Sequence, residues 1–87
     1  MSQAKKTRTT VDIYGKTYTI LGEENVHHMR IVASMVDDKM RDIYQANKSL
    51  DTTRLAVLTA VNTVNDYLKL KQEHEALLKK IEEKEDL

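Results

Sequence analysis

From Asp51 to Leu87 the chain contains neither glycine nor proline, and this uninterrupted stretch limits the available folds more than any other feature. Nothing in it stops a helix, so about 37 residues rising 1.5 Å each predict a rod of roughly 55 Å. Such a rod projects beyond any core that the rest of the chain can build. With 87 residues in all, the chain forms one domain at most and shelters only part of its apolar surface by itself. Burial against another chain is therefore expected.

The rod carries the pattern for that burial. Ala56, Ala60, Thr63, Tyr67, Leu70, His74, Leu77, Ile81 and Lys84 follow one another at alternating spacings of four and three, the heptad seam of a coiled coil. Small residues near its start let two helices approach closely, and Leu70, Leu77 and Ile81 are ordinary seam residues farther out. A second apolar set, Leu55, Val57, Leu58, Val61, Val64 and Leu68, lies beside it in the first half. The expectation is that this valine and leucine face packs on a head and the heptad face on a second copy, with the reverse assignment open. The pattern does not fix parallel or antiparallel pairing.

The head precedes the rod. In "TVDIYGKTYTI" β-branched and aromatic residues alternate with polar ones on either side of Gly15-Lys16, a hairpin signature. With Gly15 and Lys16 as the two turn residues, Ile13 faces Tyr18 and Val11 faces Ile20, and Thr10, Asp12, Thr17 and Thr19 face away. A lone hairpin needs a cover. Met29, Val32, Ala33, Val36, Met40, Ile43 and Tyr44 recur at helical spacing in the next segment, opposite a face carrying Arg30, Asp37, Asp38, Arg41 and Asp42. Asn25 is placed to cap this helix and Asp51 the rod, with Leu50 and Leu55 positioned as a hydrophobic staple. The fold class expected is α+β: a basic disordered tail over 1–8, a head over 9–48 with a hairpin at 10–20 and a helix at 25–45, and a coiled-coil helix over 51–87, oligomeric through its rod.

Composition narrows the function. Cysteine and proline are absent, and the only aromatics are four tyrosines, which suits a helical protein of a reducing compartment. Fourteen basic residues balance fourteen acidic ones, so the footprint of a general nucleic-acid binder is missing. No signal peptide or bilayer-length apolar run is present. A cytoplasmic protein is expected, with neither membrane nor nucleic acid as partner, and Lys5, Lys6 and Arg8 read as part of a solvated end.

Little chemistry is on offer. His27 and His28 are adjacent, so on a helix they point about 100° apart and do not bind one metal together. His74 sits in the seam and reads as a packing histidine. Asp37 with Asp38, and Glu82 with Glu83, read as solvated charge without a pocket to raise a pKa. No phosphate loop, nucleotide fingerprint, nucleophile elbow or zinc motif occurs. The expectation is an interaction protein, not an enzyme, with no cofactor and no small-molecule substrate. A generic coiled-coil adaptor or a small nucleoid-binding protein is the alternative.

In order and separation, "VDIYGKTYTI", "VASMVDDKMRDI" and "LDTTRLAVLTAVNTVNDYLKL" resemble ZapA, a bacterial cell-division family that associates with the tubulin-like FtsZ ring. The resemblance covers residues 9–70, and Thr59 and Val61 stand where the family often has alanine and leucine. It implies a cytoplasmic dimer, able to pair into a tetramer, whose heads contact FtsZ and bundle its protofilaments at the mid-cell division site. Related proteins use charged head residues for FtsZ. The best matches are Lys16, Arg41, Lys48 and Arg54.

Overall fold

A computed structural model describes residues 6–85, apart from the side chain of Glu85. The elements run β1 (Thr7–Ile13), β2 (Lys16–Gly22), α1 (Val26–Ala46) and α2 (Thr52–Glu85). Hairpin, covering helix and rod thus appear in the expected order. β1 starts early enough that Thr7 and Arg8, expected in the tail, are strand residues. Residues 1–5 of that tail lie outside the described residues.

The strands pair antiparallel with Val11 opposite Tyr18, Thr9 opposite Ile20 and Ile13 opposite Lys16. This corrects the expected register. The turn residues are Tyr14 and Gly15, with φ of 49° and 78°; two successive positive φ values belong to a type I′ turn, whose twist matches that of the strands. Moving the turn by one residue shifts the pairing by two. Because side chains alternate with a period of two, each keeps the face expected of it. On the outer face Thr17 Oγ1 donates to Asp12 Oδ1 at 2.7 Å.

Caps delimit both helices where the sequence places them. The His28 N–H donates to Asn25 Oδ1 at 2.7 Å, and the Arg54 N–H donates to Asp51 Oδ1 at 2.8 Å, each satisfying a first-turn amide that has no partner within its helix. Between them the Asn47 N–H closes α1 onto the carbonyls of Ile43 and Tyr44, both at 3.1 Å.

α1 lies across β1 and against the start of α2, while the backbone of β2 approaches neither helix. The apolar core of the described residues is accordingly small: Val11, Ala33, Met40 and Leu55. Met29, Val36, Ile43 and Tyr44 are half-buried around it, and Val32, expected in the core, is exposed. The Cα envelope measures 55 × 46 × 16 Å, and its short dimension holds little more than one sheet with one helix on it.

On α2 only Leu55 and Thr59 are buried among the described residues. Thr59 tolerates that position because its hydroxyl donates to the Leu55 carbonyl at 2.7 Å, the back-bond open to a helical threonine. Val57, Leu58, Val61, Val64 and Leu68, expected against the head, are all exposed. The reason is angular: at about 100° per residue, Leu55, Thr59 and Asp66 share one flank of the helix, and Val57, Val61, Val64 and Leu68 lie on nearly the opposite one. An ion pair from Lys39 of α1 to Asp66 ties the rod to the head on the covered flank.

Candidate functional site

The residues singled out in the sequence fall on two surfaces: the basic groups of the head, and the rod. At the turn, Tyr14 takes a left-handed conformation that costs a residue with a Cβ about 1–2 kcal/mol. Contacts from α1 hold it there. The Tyr14 N–H donates to Asp37 Oδ1 at 2.7 Å, Arg41 Nε–H donates to Asp37 Oδ2 at 2.9 Å, and the Arg41 guanidinium lies 5.5 Å from the Tyr14 ring centroid. The Tyr44 ring meets Tyr14 edge-on with centroids 6.4 Å apart.

Asp37 is therefore not the solvated carboxylate that the sequence suggests. The Arg41 hydrogen bond, then the Tyr14 amide, hold its pKa below the ordinary carboxylate value, with desolvation opposing them. Arg41 is correspondingly held more firmly protonated by Asp37. Nothing local in the sequence signals this clamp, because its two halves are 23 residues apart.

The four basic candidates divide accordingly. Arg41 is committed to the clamp, and Arg54 Nε lies 3.8 Å from Asp51 Oδ2 at its own helix cap. Lys16 and Lys48 are exposed and have no ion-pair partner among the described residues. The turn separates two grooves. Arg41 shares an open cleft of 650 Å³ with Arg30, Asp12, Asp37 and Gly15. Lys16 borders an apolar groove of 370 Å³ with Ile13, Tyr18, Ile20, Met40 and Ala56. Arg30 and Arg41 share the polar face of α1 in the sequence, and the fold sets that face along the cleft beside the turn.

Further signals were missed on α1. Ile31 and Met35 are exposed, one turn apart on the face away from the hairpin, where they adjoin Asp38 and Asp42 at helical spacing. Among the described residues no three His, Cys, Asp or Glu side chains come together to hold a metal. No described helix is long and apolar enough to cross a membrane.

Along the rod, Ala56, Ala60, Thr63, Tyr67, Leu70, His74, Leu77 and Ile81 are all exposed in a single chain. They lie together on one side of α2, between the flank held by the head and the flank carrying Val57, Val61, Val64 and Leu68. The rod thus presents two uncovered apolar stripes.

Similarity to known proteins covers the head and the rod. A family model described as cell division protein ZapA matches residues 9–87. The chain is 61% identical over 85 residues to the cell division protein ZapA of Bacillus licheniformis, covering 98% of this chain and 100% of that protein. It is 56% identical over 86 residues to the ZapA of a Geobacillus species, covering 99% of each. Among solved structures, a ZapA mutant dimer from Geobacillus stearothermophilus superposes with a TM-score of 0.74 at 46% identity, over 94% of this chain and 95% of that one. A match of this extent, in sequence and in fold, places the chain in the ZapA family of cell division proteins.

Proposed function

We propose that the chain is a non-enzymatic connector that binds FtsZ and bundles its protofilaments at the division site, working as a dimer that pairs further into a tetramer. The observation that carries this reading is the exposed seam along α2 on a molecule whose head presents Lys16 and Lys48 without an ion-pair partner among the described residues. Joining weakly binding heads through a rod turns the second contact into an intramolecular event, so the assembly binds more tightly than one head. Lys16 and Lys48 serve as contact groups for an acidic partner surface, where rim charges act mainly on association rate and salt dependence. Arg41 acts indirectly by holding the turn that presents Lys16.

Sedimentation with polymerised FtsZ tests the reading. The protein is expected to co-pellet with FtsZ and thicken its filaments, less so as salt rises. Lys16→Glu with Lys48→Glu is expected to abolish bundling while helicity and oligomer mass stay at their parent values. Failure of the parent protein to co-pellet at any salt concentration would overturn the function. Full bundling by the folded double variant would move the contact elsewhere on the head.

A further inference from the structure

Among the described residues the sheet is β1 paired with β2 alone, which leaves one edge of β1 open. A two-residue turn closes with its flanking residues, here Ile13 and Lys16, directing their backbone groups at each other. Backbone direction alternates along a strand, so Ile13, Val11 and Thr9 bond β2, whereas the N–H and C=O groups of Asp12 and Thr10 point away from it. The further hydrogen bonds at these two positions among the described residues are made by their side chains. The next outward N–H, that of Tyr14, is already taken by the Asp37 carboxylate of α1 at 2.7 Å. A carboxylate thus completes one end of the edge, and the rest of it is open.

Thr10 and Asp12 form one wall of the 650 Å³ cleft, and the other wall is a single face of α1 carrying Arg30, Ala33, Ser34 and Arg41. The two arginines stand roughly 16 Å apart along the helix axis, the reach of about five residues of extended chain. Ala33 and Ser34 between them are small, which lets a backbone pass close to the helix. Charge in the cleft is unevenly used. Asp12 accepts from Thr17, and both oxygens of Asp37 are taken, by Tyr14 and Arg41. Arg30 is exposed and has no ion-pair partner among the described residues, and Arg41 engages Asp37 through Nε, leaving its two terminal nitrogens. The acids are spent and the cations are not.

We propose that this cleft takes an extended acidic segment of a partner protein, added to β1 as a third strand between the hairpin and α1. The backbone groups of Thr10 and Asp12 form the new ladder, and Arg30 and Arg41 hold carboxylates four or five residues apart. In strand addition the main-chain bonds give affinity and the side chains give specificity. Charge complementarity selects the occupant: the free cations are both guanidiniums, planar donors whose geometry suits carboxylates. No residue of α2 lines the cleft, and neither do Lys16 and Lys48. The site is therefore separate from the self-association seam and from the lysines assigned to FtsZ, and it stands or falls by its own measurement.

The probe is the synthetic peptide Thr-Glu-Thr-Val-Thr-Glu-Thr with acetyl and amide ends, whose glutamates and central valine share one face when extended. The same peptide with glutamine in place of glutamate is the control. In amide NMR spectra of the whole chain, the acidic peptide is expected to shift the Thr10 and Asp12 signals and slow their exchange with solvent. The Thr9 and Val11 amides, already bonded to β2, should keep their rates. Both the glutamine peptide and the Arg30→Glu variant are expected to weaken binding about tenfold or more. Thr10→Pro removes an outward N–H and no bond to β2, and should weaken it similarly; if that variant fails to fold, Arg30→Glu, at an exposed helical position, decides. No shift at millimolar peptide, or binding indifferent to Arg30→Glu, would overturn the proposal. Protection of Thr10 and Asp12 that grows with protein concentration in the absence of peptide would overturn it too, because a second copy would then hold the edge.

Discussion

Val11 and Tyr18 sit opposite each other on one face of the hairpin, yet Val11 is 5% exposed and Tyr18 48%. Their neighbours follow the same division: Thr9 beside Val11 is buried, and Ile20 beside Tyr18 is only half-buried. Pairing and facing are the same, so strand chemistry does not explain the difference. What differs is supply. The chain has one helix to lay on the sheet, it lies over β1, and α2 departs after its first turns. α2 repeats the contrast, with Leu55 at 1% and Val61 at 59% exposure. Covered positions hold one chain together, and uncovered positions on the same elements remain for a partner.

The largest expected effect lies on the covered side. Leu55→Ala opens a cavity in the small core and should cost about 2–5 kcal/mol, read as a drop in denaturant midpoint at every protein concentration. Tyr18→Ala, on the uncovered strand, should lower the midpoint only at concentrations where the dimer forms. Equal losses for Tyr18→Ala in dilute and concentrated samples would break the comparison.

Next comes the outer seam. Leu77→Glu with Ile81→Glu places carboxylates where two rods meet and should raise the dissociation constant by about two orders of magnitude, the equivalent of roughly 2.7 kcal/mol. Analytical ultracentrifugation reads this as a lower mass, and unchanged mass would mean that the outer seam is not an interface. A dimer that persists while a larger assembly disappears would place the dimer contact nearer the head.

A smaller effect separates the clamp from the rim. Asp37 has a depressed pKa, so near that pKa the unfolded chain binds more protons than the folded one and stability rises with pH. Its contribution is complete above the ordinary carboxylate value of about 4 and is lost as pH falls through the lower folded value. Asp37→Asn keeps an acceptor for the Tyr14 amide but loses the charge. The variant should therefore be less stable at neutral pH and lose less stability on acidification, as followed by thermal melts across the acid range. Lys16→Ala should leave both unchanged. An acid limb identical to that of the parent would remove Asp37 from the account.

The smallest effect concerns Thr9, whose buried hydroxyl has no hydrogen-bond partner among the described residues. Replacing an unsatisfied buried polar group with an apolar one of the same shape is neutral or favourable. Thr9→Val should leave stability unchanged or raise it by up to about 1 kcal/mol, and a clear loss in a melt would show that the hydroxyl is bonded in the assembled protein.

Much of the fold was legible because its signals are local. Asn25 and Asp51 cap within three residues of their own positions, and the strand faces follow from alternation alone. The turn was misplaced by one residue because the conformation of Tyr14 is supported by Asp37, Arg41 and Tyr44, whose nearness no local pattern records. For the stripe Val57 to Leu68, periodicity shows that a face is apolar without showing what covers it, which is why the sequence favours the head as its cover and leaves the reverse assignment open. Lys16 and Lys48 could be told from Arg41 and Arg54 only when the carboxylates beside the arginines were in place. The heptad pattern of the seam can be read from the sequence, but a direction of pairing cannot, since a heptad serves either one.

The heptad leaves the direction of pairing open, parallel rods are expected, and one distance decides it. A single spin label at Glu83, introduced as Glu83→Cys, reports the separation between the same position in two copies. Rods packed in parallel at 8–10 Å predict a label separation within about 25 Å. Antiparallel rods overlapping along the seam from Ala56 to Ile81 would set the labels roughly 40 Å or more apart, and that result would contradict the account.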